Sequence, residues 1–486
     1  MEPMLELPIR IPPRKSGERL RALHGQLKAA ILEGRLRPGL RLPATRVLAS
    51  HYGVSRNTAI ATYDLLLSEG YITTRHGAGT YVADVLPGVT RLAGQKKSNA
   101  ARVRALAEFW QRPALFESAP APQAVRYQFR LGWPDVSRFP MATWRRLSGR
   151  AQRTFARQPL IDETSAGRAT LREAIAKHVS FARAVACDAS DIVVTSGAQQ
   201  AFDLLARILV TPKRSVIVME DPGYQRARMA FIAAGAKIVP VPVDEEGLIV
   251  HKLPIHASAI YVTPSHQFPT GAVMSPRRRA ELLAFASAHN IAIIEDDYDA
   301  EFRFGARPLD ALQTLDRAAT VFYVGTFSKS LFPDLRLGFV VAPSWARPAL
   351  VAAKHYADGQ CSPLLQETLA SFISEGHLAR HVRRMRQIYS SRRQTLLDGL
   401  EKYLSADLAP VPSAAGLHLA AFTQSRVDVE KIVARAIHLG TGVYSLRRFQ
   451  IGRASRNGLV FGFSSLAEHE ITEGLVRLAR AFAANK

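Results

Sequence analysis

The sequence has little cysteine: two residues in 486, Cys187 and Cys361, far apart and without partners at metal-ligand spacing. Neither a disulfide framework nor a zinc site is indicated, so no metal is expected and both thiols read as packing residues. No apolar run approaches the length needed to cross a bilayer, and no charged-then-apolar leader is present, which predicts a cytoplasmic protein without a membrane partner. Internal repeats and long low-complexity tracts are also missing. Acidic residues are the scarcer charge, 41 against 64 Lys and Arg, leaving a formal +23 and a pI near 10.4. Such a chain concentrates on polyanions and binds them in a strongly salt-dependent way. Charge alone carries no specificity, and the run Arg380-His381-Val382-Arg383-Arg384-Met385-Arg386 reads first as a solvated helix face.

The chain is too long for one ordinary domain, and two folded units are expected. In the first, Leu20, Leu23, Leu27, Ala30 and Ile31 recur at helical spacing from Arg19 to about Gly34. A second helix begins at Pro43 or Ala44 and ends near His51-Tyr52-Gly53, where glycine permits a tight turn. Ser55 caps a third helix, predicted to be buried through Ile60, Tyr63, Leu66 and Leu67. This is helix-turn-helix grammar. Ser55, Arg56, Asn57 and Thr58 lie where a helix N-terminus entering the major groove reaches base edges or phosphates; Arg56 equally suits a phosphate clamp. Residues 70–82 alternate and turn as a two-stranded wing. Arg46 on the second helix and Arg75, His76 and Gly77 at the wing tip complete the candidate contacts to double-stranded DNA. Residues 85–126, with Lys96-Lys97-Ser98-Asn99 and Ala119-Pro120-Ala121-Pro122, read as a partly extended linker.

The second unit alternates strands such as Ser215–Glu220, Ala259–Thr263, Ile291–Glu295, Val321–Gly325 and Gly338–Ala342 with helical stretches. That predicts a mostly parallel sheet covered on both faces, with one neighbouring strand free to run antiparallel. A long basic helix, Leu364–Tyr403, is expected to lead into a smaller α+β lobe. Gly325-Thr326-Phe327-Ser328-Lys329 places a lysine in a small-residue turn, with Arg336 seven positions on. A lysine held so suits a Schiff base to an aldehyde cofactor, while Thr326, Ser328 and Arg336 suit its phosphate. Four carboxylates in Glu295-Asp296-Asp297-Tyr298-Asp299 follow a buried strand, a costly arrangement unless a cation sits nearby. There one carboxylate can pair with a protonated pyridine nitrogen and the tyrosine can hydrogen-bond a phenolic oxygen. Thr195-Ser196-Gly197-Ala198-Gln199 reads as strand, turn and helix start, which aims amides at an anion. Tyr224, in Asp221-Pro222-Gly223-Tyr224-Gln225-Arg226, is placed to stack on a flat ring.

These motifs carry a resemblance. Residues from about 127 to the end resemble the fold-type I pyridoxal-phosphate aminotransferases, and Ser265-His266-Gln267-Phe268-Pro269-Thr270-Gly271 is the loop form of the MocR/GabR branch of transcription regulators. Leu-Pro-x-x-Arg, Val-Ser-Arg-Asn-Thr, Glu-Gly and Gly-x-Gly-Thr over residues 15–84 resemble the GntR winged helix-turn-helix. The resemblance implies a small winged helix-turn-helix of α+β class joined to a large α/β domain with a smaller α+β lobe. It also implies pyridoxal 5'-phosphate on Lys329, Asp296 at the pyridine nitrogen and Tyr298 at the phenolic oxygen. Tyr224 then stacks on the ring, and Ser196, Gly197, Ala198, Gln199, Thr326, Ser328 and Arg336 surround the phosphate. A homodimer is implied as well, with each winged helix packed across onto the other chain.

Two departures from the enzymes stand out. Phe268 replaces the asparagine before Pro-Thr-Gly, so the phenolic oxygen loses a partner unless His266 or Gln267 stands in. Val460 occupies the place of the arginine that holds substrate carboxylates, which leaves Arg226, Arg447 and Arg448 as candidates for binding an amino-acid effector. The expected function is a DNA-binding regulator that senses an amino acid, an amine or the cofactor itself. The alternative is a working aminotransferase with a DNA-binding appendage.

Overall fold

The computed structural model describes residues 7–13, 18–75, 78–84, 108–111, 125–157, 165–299, 301–304, 310–424, 427–452 and 456–484. The chain divides into two compact units, Met1–Leu106 and Ala107–Lys486. The stretch read as a linker, 85–126, lies outside the described residues apart from 108–111, a short 3-10 turn, and 125–126.

The first unit holds helices α1 (Arg19–Leu32), α2 (Thr45–His51) and α3 (Arg56–Ser68) and strands β1 (Ile72–Arg75) and β2 (Gly79–Val82), which pair antiparallel as the wing. Leu23, Leu27, Ala30 and Ile31 of α1 are buried against Leu48, Ala59, Tyr63 and Leu66. Helix α3 corrects one expectation: Ile60 and Leu67 are exposed. They lie seven residues apart on the outward face, while Ala59, Thr62, Tyr63 and Leu66 follow the 3.6-residue period inward. Ser55 caps α3, its Oγ accepting from the Thr58 amide at 3.1 Å.

The second unit begins with β3 (Tyr127–Gln128), α4 (Met141–Arg157) and α5 (Ala169–Arg183). The large lobe then runs β4 (Ile192–Thr195), α6 (Ala198–Leu209), β5 (Val216–Asp221), α7 (Gln225–Ala233), β6 (Lys237–Asp244), β7 (Gly247–Leu248), β8 (Ala259–Val262) and α8 (Pro276–His289). It continues through β9 (Ala292–Asp297), α9 (Leu312–Leu315), β10 (Val321–Thr326), β11 (Gly338–Val341) and α10 (Arg347–Asp358). The strands lie side by side as β4-β11-β10-β9-β8-β5-β6-β7. Strand β11 runs antiparallel between β10 and β4, as the sequence allowed, and β7 adds an antiparallel edge.

Alternation along the strands sorts side chains to the two faces. Ile217, Met219, Tyr261 and Ile294 join α6, α7 and α10, whereas Val218, Ile260, Val262 and Ile293 pack on α8. Both faces are thereby dry, which is why these strands read as unbroken apolar runs. The carboxyl ends of β4, β5, β8, β9 and β10 point the same way and carry the candidate residues, as expected where ligands meet an open α/β sheet.

The expected long helix is two, α11 (Pro363–Ser374) and α12 (His377–Leu404), because Gly376 takes the left-handed conformation at φ 73° and turns the chain. Strands β12 (Leu408–Pro410), β13 (His418–Thr423), β15 (Tyr444–Ser445) and β16 (Gly458–Gly462) form the small-lobe sheet with α13 (Val429–His438) and α14 (Glu468–Ala483). Strand β14 (Thr441–Gly442) pairs with β3. No described helix is long and apolar enough to cross a membrane.

Candidate functional site

Strand β9 carries three consecutive buried carboxylates, and the structure gives each its own partners. Glu295 accepts from the amides of Leu312 (2.8 Å) and Gln313 (2.9 Å). Asp297 accepts from Arg183 Nε at 2.7 Å and the Tyr323 hydroxyl at 2.6 Å, so Arg183 is the cation that the acidic cluster required. Asp296 Oδ2 accepts from the Tyr261 hydroxyl at 2.5 Å, while Oδ1 is buried without a hydrogen-bond partner. Burial, helped by Asp297 and Asp299, pushes the Asp296 carboxyl up to about 7. This is a group held for a cation.

Lys329 follows β10, and its Nζ donates to the carbonyl of Gly132 at 2.7 Å. Gly132 has φ +59°, and a Cβ there would stand 2.7 Å from Nζ, so only glycine leaves the amine its place. Burial lowers the Lys329 pKa, with Asp299 and Asp296 opposing the shift and Arg226 adding to it. A half-buried amine of lowered pKa is a competent nucleophile.

An anion cup lies at the start of α6. Gly197, with φ +83°, caps the helix, and the first-turn amides of Ala198 and Gln199 have no helical acceptor. Arg336 Nη2 donates to the Ser196 carbonyl at 2.9 Å, and the Ser328 amide donates to Thr326 Oγ1 at 3.2 Å. The cup's anionic neighbour, Asp358, pairs with Lys354 and accepts from Gln200 Nε2 at 2.7 Å.

Tyr224 and Phe268 meet edge to face at 5.3 Å, and Phe268 also packs on Tyr298, His418 and Phe449. The Tyr298 hydroxyl lies 3.0 Å from His266 Nδ1 and 2.9 Å from the His266 carbonyl. His266 Nδ1 is in turn 3.1 Å from Asp299 Oδ2. Sequence reasoning missed Gly132, Tyr261, Asp299 and His418. Asp299 at least was visible in the same acidic run; the others lie far along the chain from their partners.

In the first unit, Arg46, Arg56 and Asn57 are exposed, whereas the hydroxyls of Ser55 and Thr58 bond each other at 2.8 Å and serve the cap. Arg75 lies over the Tyr81 ring at 4.8 Å and 3.7 Å from Asp84. His76 and Gly77 lie outside the described residues.

Comparison with known proteins gives the family. Residues 21–82 match the description "Bacterial regulatory proteins, gntR family", and residues 157–450 match "Aminotransferase class I and II". The probable rhizopine catabolism regulatory protein MocR of Rhizobium meliloti is 36% identical over 96% of this chain and 94% of its own length. The chain belongs to the MocR/GabR-type transcription regulators. The HTH-type pyridoxine biosynthesis transcriptional regulator PdxR of Corynebacterium glutamicum is 30% identical over 98% of this chain and 99% of its own. Among solved structures, Pyrococcus horikoshii kynurenine aminotransferase, in complex with PMP, superposes with a TM-score of 0.69. It is 27% identical over 80% of this chain and 96% of that one.

As a MocR/GabR-type regulator the protein binds DNA and uses pyridoxal 5'-phosphate. The residues present fit that cofactor: the partnerless Asp296 Oδ1 suits a protonated ring nitrogen, the Gly132 cradle admits Lys329, and the cup suits a phosphate. Val460 is fully buried with Leu446 and Phe449, so that position of the regulator holds no carboxylate. Arg226 is exposed at the first turn of α7, and its backbone carbonyl accepts from Gln199 Nε2 at 3.2 Å. Arg447 and Arg448 are exposed on a 3-10 turn, Arg448 5.8 Å from the Tyr444 ring centre. That segment docks on the end of β5, where the Gly223 amide donates to the Phe449 carbonyl at 3.0 Å.

Proposed function

We propose that this regulator is a cytoplasmic homodimer that senses an amino acid, a related amine or pyridoxal phosphate itself through Lys329, and controls genes of amino-acid, amine or vitamin B6 metabolism. The observation that carries this reading is the half-buried Lys329 amine held by the Gly132 carbonyl, near a carboxyl that has no cation of its own. The cofactor supplies an aldehyde that exchanges amines and a ring that draws electrons from the carbon next to the bound nitrogen. Asp296 would hold a proton on the ring nitrogen, the cup would hold the phosphate, Tyr298 would donate to the phenolic oxygen, and the Lys329 amine would bind the aldehyde and carry a proton at Nζ.

Arg226 is the first candidate for an effector carboxylate, because it is exposed beside Gln199 of the anion cup and its charge is felt at Lys329. Arg447 and Arg448 are second candidates on the neighbouring segment. An effector shifts DNA binding only by its differential affinity for two states, typically about 1–3 kcal/mol of coupling. The two relatives are named for rhizopine catabolism in one case and pyridoxine biosynthesis in the other, which favours an effector from one of those two classes.

A second reading, an aminotransferase with a DNA-binding appendage, is favoured by the presence of Lys329 and Asp296 together and by the likeness to an enzyme along 96% of its chain. The buried Val460 opposes it. The two are separated by following the visible band of the purified protein against a panel of amino acids and amines, with keto-acid release measured in parallel. A band that shifts with one amine and then holds is expected. Steady keto-acid production establishes the enzyme instead. Lys329→Ala is expected to lose both the band and the effector response, and a retained response would sink the proposal.

A further inference from the structure

The sequence leaves the cofactor's phenolic oxygen short of one donor, because Phe268 stands where the enzymes carry an amide. In the structure the side chains of Gln267 and His266 both have partners within the protein. Gln267 Nε2 is spent on the carbonyls of Pro222 (2.8 Å) and Phe268 (2.7 Å) and on Glu220. His266 turns its Nδ1 to the Tyr298 hydroxyl and Asp299 instead.

The hydrogen-bond inventory of this buried group settles which ring nitrogens carry protons. Asp299 offers only acceptor oxygens, one of which also receives the Leu417 amide at 3.1 Å, so His266 Nδ1 is the donor to it. His418 Nε2 lies 3.2 Å from the Pro269 carbonyl, again an acceptor, so Nε2 bears the proton there. Two nitrogens are then bare, His266 Nε2 and His418 Nδ1, and these are the two ring atoms left buried without a partner. Both are bare acceptors, whereas the opposite tautomers would set two bare nitrogens against acceptor oxygens and bury two N–H donors with no acceptor at all.

With Nδ1–H shared between Asp299 and the Tyr298 oxygen, Tyr298 receives a hydrogen bond and keeps its own O–H to give. That proton meets the His266 carbonyl at 2.9 Å here and is free to turn to a bound ring. We infer that His266, held in one tautomer by Asp299, is a positioning residue that commits the Tyr298 proton to the cofactor's phenolic oxygen and so replaces the missing amide. The inference rests on the reading that Lys329 holds pyridoxal phosphate. Asp299, Asp296, Glu220 and Asp297 are the ionised groups whose charge reaches this tyrosine, His418 stacks 6.3 Å from it, and burial beside His266 holds His418 unprotonated, its pKa about 3.

The test is the pH midpoint of the visible band of the cofactor-loaded full-length protein. Weaker donation to the phenolic oxygen leaves it more basic, so His266→Leu is expected to raise the midpoint by about one unit, a tenfold change in proton affinity. His266→Asn, whose amide sits near the place of Nδ1, is expected to restore most of it. Asp299→Asn, which donates to Nδ1 and reverses the tautomer, is expected to behave like the leucine variant. In a Tyr298→Phe background the His266→Leu shift is expected to vanish, since the histidine acts through that hydroxyl. An unchanged midpoint in loaded His266→Leu and Asp299→Asn proteins overturns the inference, as does an undiminished shift in the Tyr298→Phe background. A wild-type protein that shows no visible band overturns the assignment of Lys329 beneath it, and is told apart from those results by that spectrum.

Discussion

Replacing Asp296 by asparagine should make the cofactor-free protein more stable at neutral pH. In the unfolded chain the carboxyl titrates near 3.8, whereas burial in the native protein raises it to about 7. Between those values the native state holds a proton that the unfolded state has released, so raising the pH favours unfolding. The penalty is absent below about pH 4 and complete above about pH 7. Three units at roughly 1.4 kcal/mol each give about 4 kcal/mol, an upper figure because the pocket relaxes and admits water. The asparagine keeps the shape, and it accepts from Tyr261 without a charge to bury. Thermal or denaturant midpoints of both proteins, stripped of cofactor, should coincide near pH 4 and diverge in the variant's favour by pH 8. Added pyridoxal phosphate should reverse the order, because a protonated ring nitrogen turns the wild-type carboxylate from an isolated charge into half of a pair. A wild-type-minus-variant difference that stays constant from pH 4 to 8 would refute the reasoning.

Gly132→Ala puts a methyl 2.7 Å from Lys329 Nζ at a left-handed position, so it should push the amine aside and weaken the visible cofactor band, and it should cost about 1–2 kcal/mol of stability, read from the melting transition. Arg183→Met strands the buried Asp297 and should cost about 3–5 kcal/mol at neutral pH, much of it recovered by adding Asp297→Asn; denaturant titration of the three proteins checks this. Arg56→Ala should weaken operator binding by about 1–3 kcal/mol, seen by fluorescence anisotropy, with an unaltered cofactor spectrum.

Much of the site was legible because each piece is local. A buried strand followed by a turn announces itself over about ten residues, and β4, β5, β9 and β10 each end in one such piece. The acidic run was read as needing a cation, but its supplier was not foreseen. Arg183 comes from α5, 114 residues away from Asp297. The reading of α3 placed Ile60 and Leu67 inward with Tyr63 and Leu66, and only the packing of α1 and α2 on the opposite face could sort them. Helix α12 was merged with α11 because Gly376 sits among strong helix formers, and one glycine in such a run does not by itself reveal a left-handed turn.

Local propensity and motif spacing therefore determined the two-domain plan, the parallel sheet, the lysine and the aspartate, since those depend on neighbours in sequence. Tertiary structure decided which carboxylate keeps a free oxygen, which glycine roofs the lysine, and that His266 meets both Asp299 and Tyr298. Gly132 and Lys329 are 197 residues apart, and His418 meets His266 across the lobes' junction with ring centres 4.6 Å apart. Contacts at such separation follow from the order in which strands are laid into the sheet, and no short stretch of sequence encodes that order.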